Sequence, residues 1–243
     1  MKENLSVDEL IKKLWSREAL NALNSLRELG QDALPALLIA LEKDDFNYES
    51  HEYENGFLRD AIKNIGEPAF QALIHALRPE SNMRRAAAKT LKRWGDKRAV
   101  EPLIIAMFDQ EYHGKSYVID AIAHFRDARA YDPLRDFLKS DVSQNKERSD
   151  FLKRCAGCAL AEYGEPDLLP EIFDALKDVN PEYYTKEGID HMIATLRKRC
   201  IENGREMDFY KNWEKVKLSH PEMVKSYEES VERLQRFQKN ITG

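Results

Sequence analysis

The chain has 243 residues, a formal net charge of −5 and a third of its residues charged, with only three cysteines. So few cysteines rule out a disulfide-stapled module, and no apolar run approaches the roughly 20 residues of a membrane-spanning helix. A net acidic balance also lacks the broad basic footprint of a duplex-binding protein.

The first element is predicted from Ser6 to Trp15. Ser6 and Glu9 form the S-x-x-E capping pattern, and Leu10, Ile11 and Leu14 give one apolar stripe. Residues 1–16 therefore read as a short N-terminal cap. The opening MKENLSVDELIKKLW alternates charged and apolar residues and lacks a signal peptide's unbroken apolar core, so a cytoplasmic chain is expected.

From residue 17 to 177 the pattern repeats. Five short helices close on Leu29, Ile65, Trp94, Phe125 and Tyr163. Each is followed by a second helix closing on Ala40-Leu41, Ala76-Leu77, Ala106-Met107, Phe137-Leu138 or Ala175-Leu176. Subtracting the first anchors gives spacings of 36, 29, 31 and 38 residues. Two helices in about thirty residues cannot bury their own apolar faces, so neighbouring copies must stack as an α-solenoid. The longer spacings come from insertions, Phe46 to Asn55 and Ser140 to Ser149.

The clearest copy runs from Arg84 to Met107, RRAAAKTLKRWGDKRAVEPLIIAM. Ala87, Ala88, Leu91 and Trp94 recur at helical spacing, then Val100, Leu103, Ile104 and Met107. Gly95 suits a helix C-terminus, Asp96 suits the cap of the next helix, and Pro102 falls in its first turn. In the fourth copy Arg126 stands where the others have glycine.

Beyond residue 177 the repeat decays. Pro181 to Cys200, with Ile189, Ile193 and Leu196 inward, reads as a helix of a sixth, degenerate unit. Met207 to Leu218 and Pro221 to Ile241 read as two more helices. The last carries Val224, Tyr227, Val231, Leu234, Phe237 and Ile241 as one stripe, which suits a C-terminal helical cap.

The unit R-x-x-A-A-x-x-L-x-x-x-G-D-x-R-A-V-x-P-L-I-x-A-M resembles the short HEAT-like repeat first associated with phycobilisome lyases. The resemblance covers roughly residues 17 to 177. With the repeat it implies an all-α chain: a right-handed α-solenoid of about five to six HEAT-like hairpins forming one domain over residues 1–243. For function it implies little, because repeat scaffolds host many activities. Some HEAT-repeat hydroxylases hold two irons with several His-Glu dipeptides, whereas this chain has only His51-Glu52. HEAT-like DNA glycosylases are similar in layout, but their paired tryptophans have no counterpart in Trp15, Trp94 and Trp213.

Other constellations have plain readings. Cys155-x-x-Cys158 falls inside a first helix, away from the helix N-terminus that stabilises a redox thiolate, and Cys155 reads as a packing residue. Neither a catalytic triad nor a glycine-rich phosphate loop is recognisable. No cofactor or metal is expected. Between Arg78 and Arg98 eight basic residues face two acids, and Arg197-Lys198-Arg199 adds a second run. Such runs read first as solvated helix faces, or else as a phosphate-binding groove.

One column stands apart. On a flanking face of the second helices, positions i, i+4 and i+7 are polar in most copies: Gln71, His75 and Arg78, or Asp132, Asp136 and Lys139. In the third copy they are Glu101, Ile105 and Phe108. Ile105 and Phe108 either anchor a partner in the concave groove, with His75, Arg78, Glu101, Asp132 and Asp136 around them, or wedge between repeats. The insertion aromatics Phe46, Tyr48 and Tyr53 form an alternative contact loop. The expectation is a non-catalytic scaffold that binds another protein in its groove. A bilin-lyase-like subunit or chaperone and a nucleic-acid backbone binder are the rivals.

Overall fold

The computed structural model describes residues 5–46, 56–79, 81–110, 113–140, 145–178, 186–225 and 228. Among them every regular element is a helix: α1 (Val7–Lys13), α2 (Ala19–Leu29), α3 (Leu34–Phe46), α4 (Gly56–Ile65), α5 (Glu67–His75), α6 (Arg84–Trp94), α7 (Val100–Phe108), α8 (Lys115–Phe125), α9 (Tyr131–Lys139), α10 (Lys146–Ala161), α11 (Leu168–Leu176), α12 (Lys186–Glu202) and α13 (Glu206–Ser219). The fold is all-α, and the helices follow one another as HEAT-like hairpins of an α-solenoid, α2/α3 through α12/α13.

The local chemistry is visible at the helix ends. Ser6 Oγ accepts from the Glu9 N–H, while the Glu9 carboxylate accepts from the Ser6 N–H at 2.8 Å. This reciprocal cap holds the Glu9 carboxyl below its usual range. α6 ends at Gly95, which sits at φ 78° and donates its N–H to the Leu91 carbonyl. The same turn in the fourth copy is made by Arg126 at φ 45°, the non-glycine residue held in the left-handed region among those described. Side chains there clash with their own backbone, so this junction is strained where the others are relaxed.

Two expectations need correction. Asp96 does cap, accepting from the Arg98 N–H at 2.9 Å, but the element it opens is a 3-10 turn, Lys97–Ala99, ahead of α7. Asp127 does the same before Ala128–Ala130 and α9. The short acidic side chain serves the next two residues because the chain must first tighten before α7 or α9 can start. The sixth unit is also better formed than its sequence suggests. α12 and α13 make a complete hairpin around Gly204, at φ 70°, with Ile193, Leu196, Phe209 and Val216 buried. The expected start of α12 at Pro181 and the stripe beyond Val224 lie outside the described residues.

The chain divides into two compact units, Met1–Ala121 and Ile122–Gly243, the division falling inside α8. In the first, α2 and α3 pack on α4, and α3 and α5 pack on α6. Leu26, Leu37, Leu41, Leu58, Ile62, Leu73, Leu91, Leu103 and Met107 are wholly buried. In the second, α10 lies between α9 and α12, and α11 meets α13. Phe137, Leu138, Leu160, Leu196 and Val216 are wholly buried there. Each such side chain contributes about 1.5–3 kcal/mol.

Aromatic pairs mark the seams between repeats. Phe70 of α5 meets Trp94 of α6 edge-on at 5.4 Å, and Tyr131 of α9 meets Tyr163, just past α10, at 5.4 Å. Tyr163 also donates to the Asp127 carbonyl, and burial pushes its hydroxyl up to about 12. Trp94 and Tyr163, which close two of the first helices, thus contact the preceding repeat as well as their own.

Candidate functional site

α7, VEPLIIAMF, is apolar nearly all round. Val100, Leu103, Ile104 and Met107 face the core and are buried. The opposite arc carries Glu101, Ile105 and Phe108, and Ile105 is 67% and Phe108 48% exposed. A surface helix is normally polar on that side. Ile105 is therefore not wedged between repeats, and half of the Phe108 side chain meets solvent.

The neighbouring second helix is α5. Arg98, just before α7, reaches Glu67 at the start of α5 at 2.9 Å and lies 4.5 Å over the Phe70 ring. The Arg98 side chain thereby links the turn before α7 to the first turn of α5. His75 and Arg78 occupy on α5 and its following turn the repeat positions of Ile105 and Phe108, and both are exposed. On α3 the corresponding residue is Ile39, 54% exposed.

The C-terminal end of α7 is held by buried cations. Arg84 is wholly buried, and its Nη2 donates to the Ala106 carbonyl at 2.5 Å and to the Asp109 carboxylate. Lys115, 2% exposed, donates to the Asp109 carbonyl at 2.5 Å. The last carbonyls of a helix have no intrahelical partner and carry its negative dipole end, so cations are favoured there. The helix that presents Ile105 and Phe108 is thus fixed at both ends.

The basic run from Arg78 to Arg98 is in part a solvated face, with Arg78, Arg93, Lys97 and Arg98 exposed. Arg84 and Arg85 are buried. Arg93 pairs with Asp60 at 3.0 Å, Lys92 with Asp120 at 2.7 Å, and Arg98 with both Asp96 and Glu67. The Arg98 guanidinium also holds the Asp96 carboxyl below its usual range. These cations clamp one repeat to the next. In the second unit Arg199 does likewise with Glu162 at 2.6 Å, Arg205 with Glu165, and Arg135 with Glu171.

The remaining expected residues fall as follows. His75 ends α5, Arg78 lies in the turn after it, and Glu101, Ile105 and Phe108 are on α7, all five exposed in the first unit. Asp132 and Asp136 are exposed on α9 in the second. The side chains of Phe46, Tyr48 and Tyr53 lie outside the described residues. Cys155 is only half-buried, and the Cys158 thiol, pushed up by burial, sits 4.0 Å from the Gly188 carbonyl. Sequence reasoning missed Cys200, which is wholly buried and donates to the Gly164 carbonyl of the preceding repeat. It also missed Arg84 and Lys115. A signal was present, since each stands ten residues before its first-helix anchor, Trp94 or Phe125. Among the described residues no group of three His, Cys, Asp or Glu side chains is placed to hold a metal ion. No helix among them is long and apolar enough to cross a membrane.

The model of the HEAT repeats family matches residues 67–149, from α5 into the first turn of α10 and about a third of the chain. Together with the order of the hairpins, this match supports a HEAT-like repeat protein. HEAT repeats are generally protein-interaction scaffolds. Comparison with curated proteins gives no match.

Proposed function

We propose that this chain is a non-catalytic scaffold that binds another protein on the exposed face of its second helices, with α7 at the centre. The observation that carries this reading is the exposure of Ile105 and Phe108 on a helix whose ends are fixed. Two large apolar side chains held rigidly and adjacent in solvent have the character of an interface anchor. Glu101, His75 and Arg78 supply the polar surroundings that orient a partner. We place this activity in the cytoplasm, and within the HEAT-like repeats we assign the unit to the short phycobilisome-lyase type.

The pairing of Lys92, Arg93 and Arg98 with acids of neighbouring repeats favours a protein partner over a phosphate backbone, because cations already neutralised release few counterions on binding nucleic acid. The test is the double variant Ile105→Ala/Phe108→Ala. Partner capture from host-cell lysate should weaken by about 1–3 kcal/mol while thermal unfolding is little changed. Equal capture by variant and wild type removes this reading. An absorbance change on mixing with a bilin would favour the lyase-like alternative.

A further inference from the structure

Resting on that reading, we propose that the segment bound across α3, α5 and α7 carries a carboxylate flanked on both sides by apolar residues. The repeat sets the geometry. Ile39, His75 and Ile105 each directly precede the alanine of their second-helix anchor, so they occupy one step of three successive hairpins in the first unit. Apolar side chains stand at the two outer hairpins, and an imidazole with Arg78 three residues on stands between them.

Arg78 differs from the cations around it. Arg84, Lys92, Arg93 and Arg98 each meet a carboxylate in the first unit. Arg78 and His75 are exposed and have no ion pair among the described residues. A partner that covers Ile105 and Phe108 also takes water away from the adjacent helix end. Desolvating a guanidinium without a counter-charge is costly, and a carboxylate offers two parallel acceptors to its fork. Acids bound the region on both sides. Glu42 holds on α3 the step that Arg78 holds on α5, and Glu101 lies one turn before Ile105. Both repel a partner carboxylate and leave α5 as its place.

The experiment pans random 16-residue peptides displayed on phage against the full chain and against Arg78→Glu, Arg78→Gln and Ile105→Ala/Phe108→Ala. Wild type is expected to enrich peptides with Asp or Glu between apolar residues. Arg78→Glu should lower their recovery at least tenfold and Arg78→Gln less, with melting temperatures unchanged because Arg78 is exposed. A pool without acidic preference, no enrichment, or recovery indifferent to Arg78→Glu overturns the inference. A pool lost on Ile105→Ala/Phe108→Ala yet indifferent to Arg78→Glu overturns it while the binding face stands. A pool indifferent to all three variants overturns both.

Discussion

Among the described residues Arg84 is the largest wholly buried side chain. Its Nε and Nη1 have no hydrogen-bond partner there, so the desolvation cost is offset chiefly at Nη2, by the Ala106 carbonyl and Asp109. Removing one member of a buried pair strands the other. Arg84→Ala should therefore destabilise by about 3–5 kcal/mol, read as a lower urea midpoint. Arg84→Met/Asp109→Asn should recover part of that loss, since it removes both charges and keeps the volume. Equal midpoints for Arg84→Ala and wild type would show that the cation does not hold α7. Cys200 gives a second test at this scale. Burial pushes its thiol up to about 11 from an ordinary value near 9.0. The folded state thus prefers the neutral thiol. Its contribution to stability is intact below pH 9 and is lost as pH rises from about 9 towards 11. At pH 8 Cys200 should react with a thiol reagent only through opening of the α12 hairpin, far more slowly than Cys155. Fast labelling of all three cysteines would contradict this.

At the scale of elements, the junction turns carry the clearest contrasts. Gly95 and Gly164 share a positive φ, but their surroundings differ. A Cβ on Gly95 meets nothing within 4 Å, whereas one on Gly164 would lie 2.7 Å from Arg199 Cβ and 3.0 Å from the Arg199 carbonyl carbon. Gly95→Ala should cost about 1–2 kcal/mol for the left-handed backbone alone. Gly164→Ala should cost clearly more, because α12 must move away from the junction. Conversely Arg126→Gly should stabilise by up to about 1 kcal/mol, relieving its strained φ. Chemical denaturation of the three variants ranks them, and equal costs for the two alanine variants would contradict the packing account. Much of this level was legible in the sequence. α2, α4, α6 and α8 end at the expected anchors Leu29, Ile65, Trp94 and Phe125 because apolar spacing and junction glycines are local signals. The 3-10 turns before α7 and α9 were not, since their residues also suit a helix start. The fate of Arg84 depends on which carbonyls reach it from α7, and spacing alone does not encode that.

Across the whole molecule, stability is shared among neighbouring hairpins and no single hairpin owns the core. That is why ion pairs such as Arg93 with Asp60 and Arg199 with Glu162 join residues about one repeat apart. It is also why half of a basic run that looks like a phosphate groove in sequence, Arg84, Lys92, Arg93 and Arg98, pairs with acids of its own chain. The candidate site was legible only as an irregularity, an apolar pair at positions that both adjacent repeats fill with polar residues. Exposure speaks against a wedge at Ile105, and exposure depends on the third dimension. The most direct test of the central claim compares wild type with Ile105→Ala/Phe108→Ala in one pair of measurements, quantitative partner capture and thermal unfolding. The account predicts capture reduced about 5- to 150-fold, the equivalent of about 1–3 kcal/mol, with a melting temperature shifted by no more than about 2 °C. Undiminished capture, or a fall of many degrees in melting temperature that marks the pair as core, would contradict it.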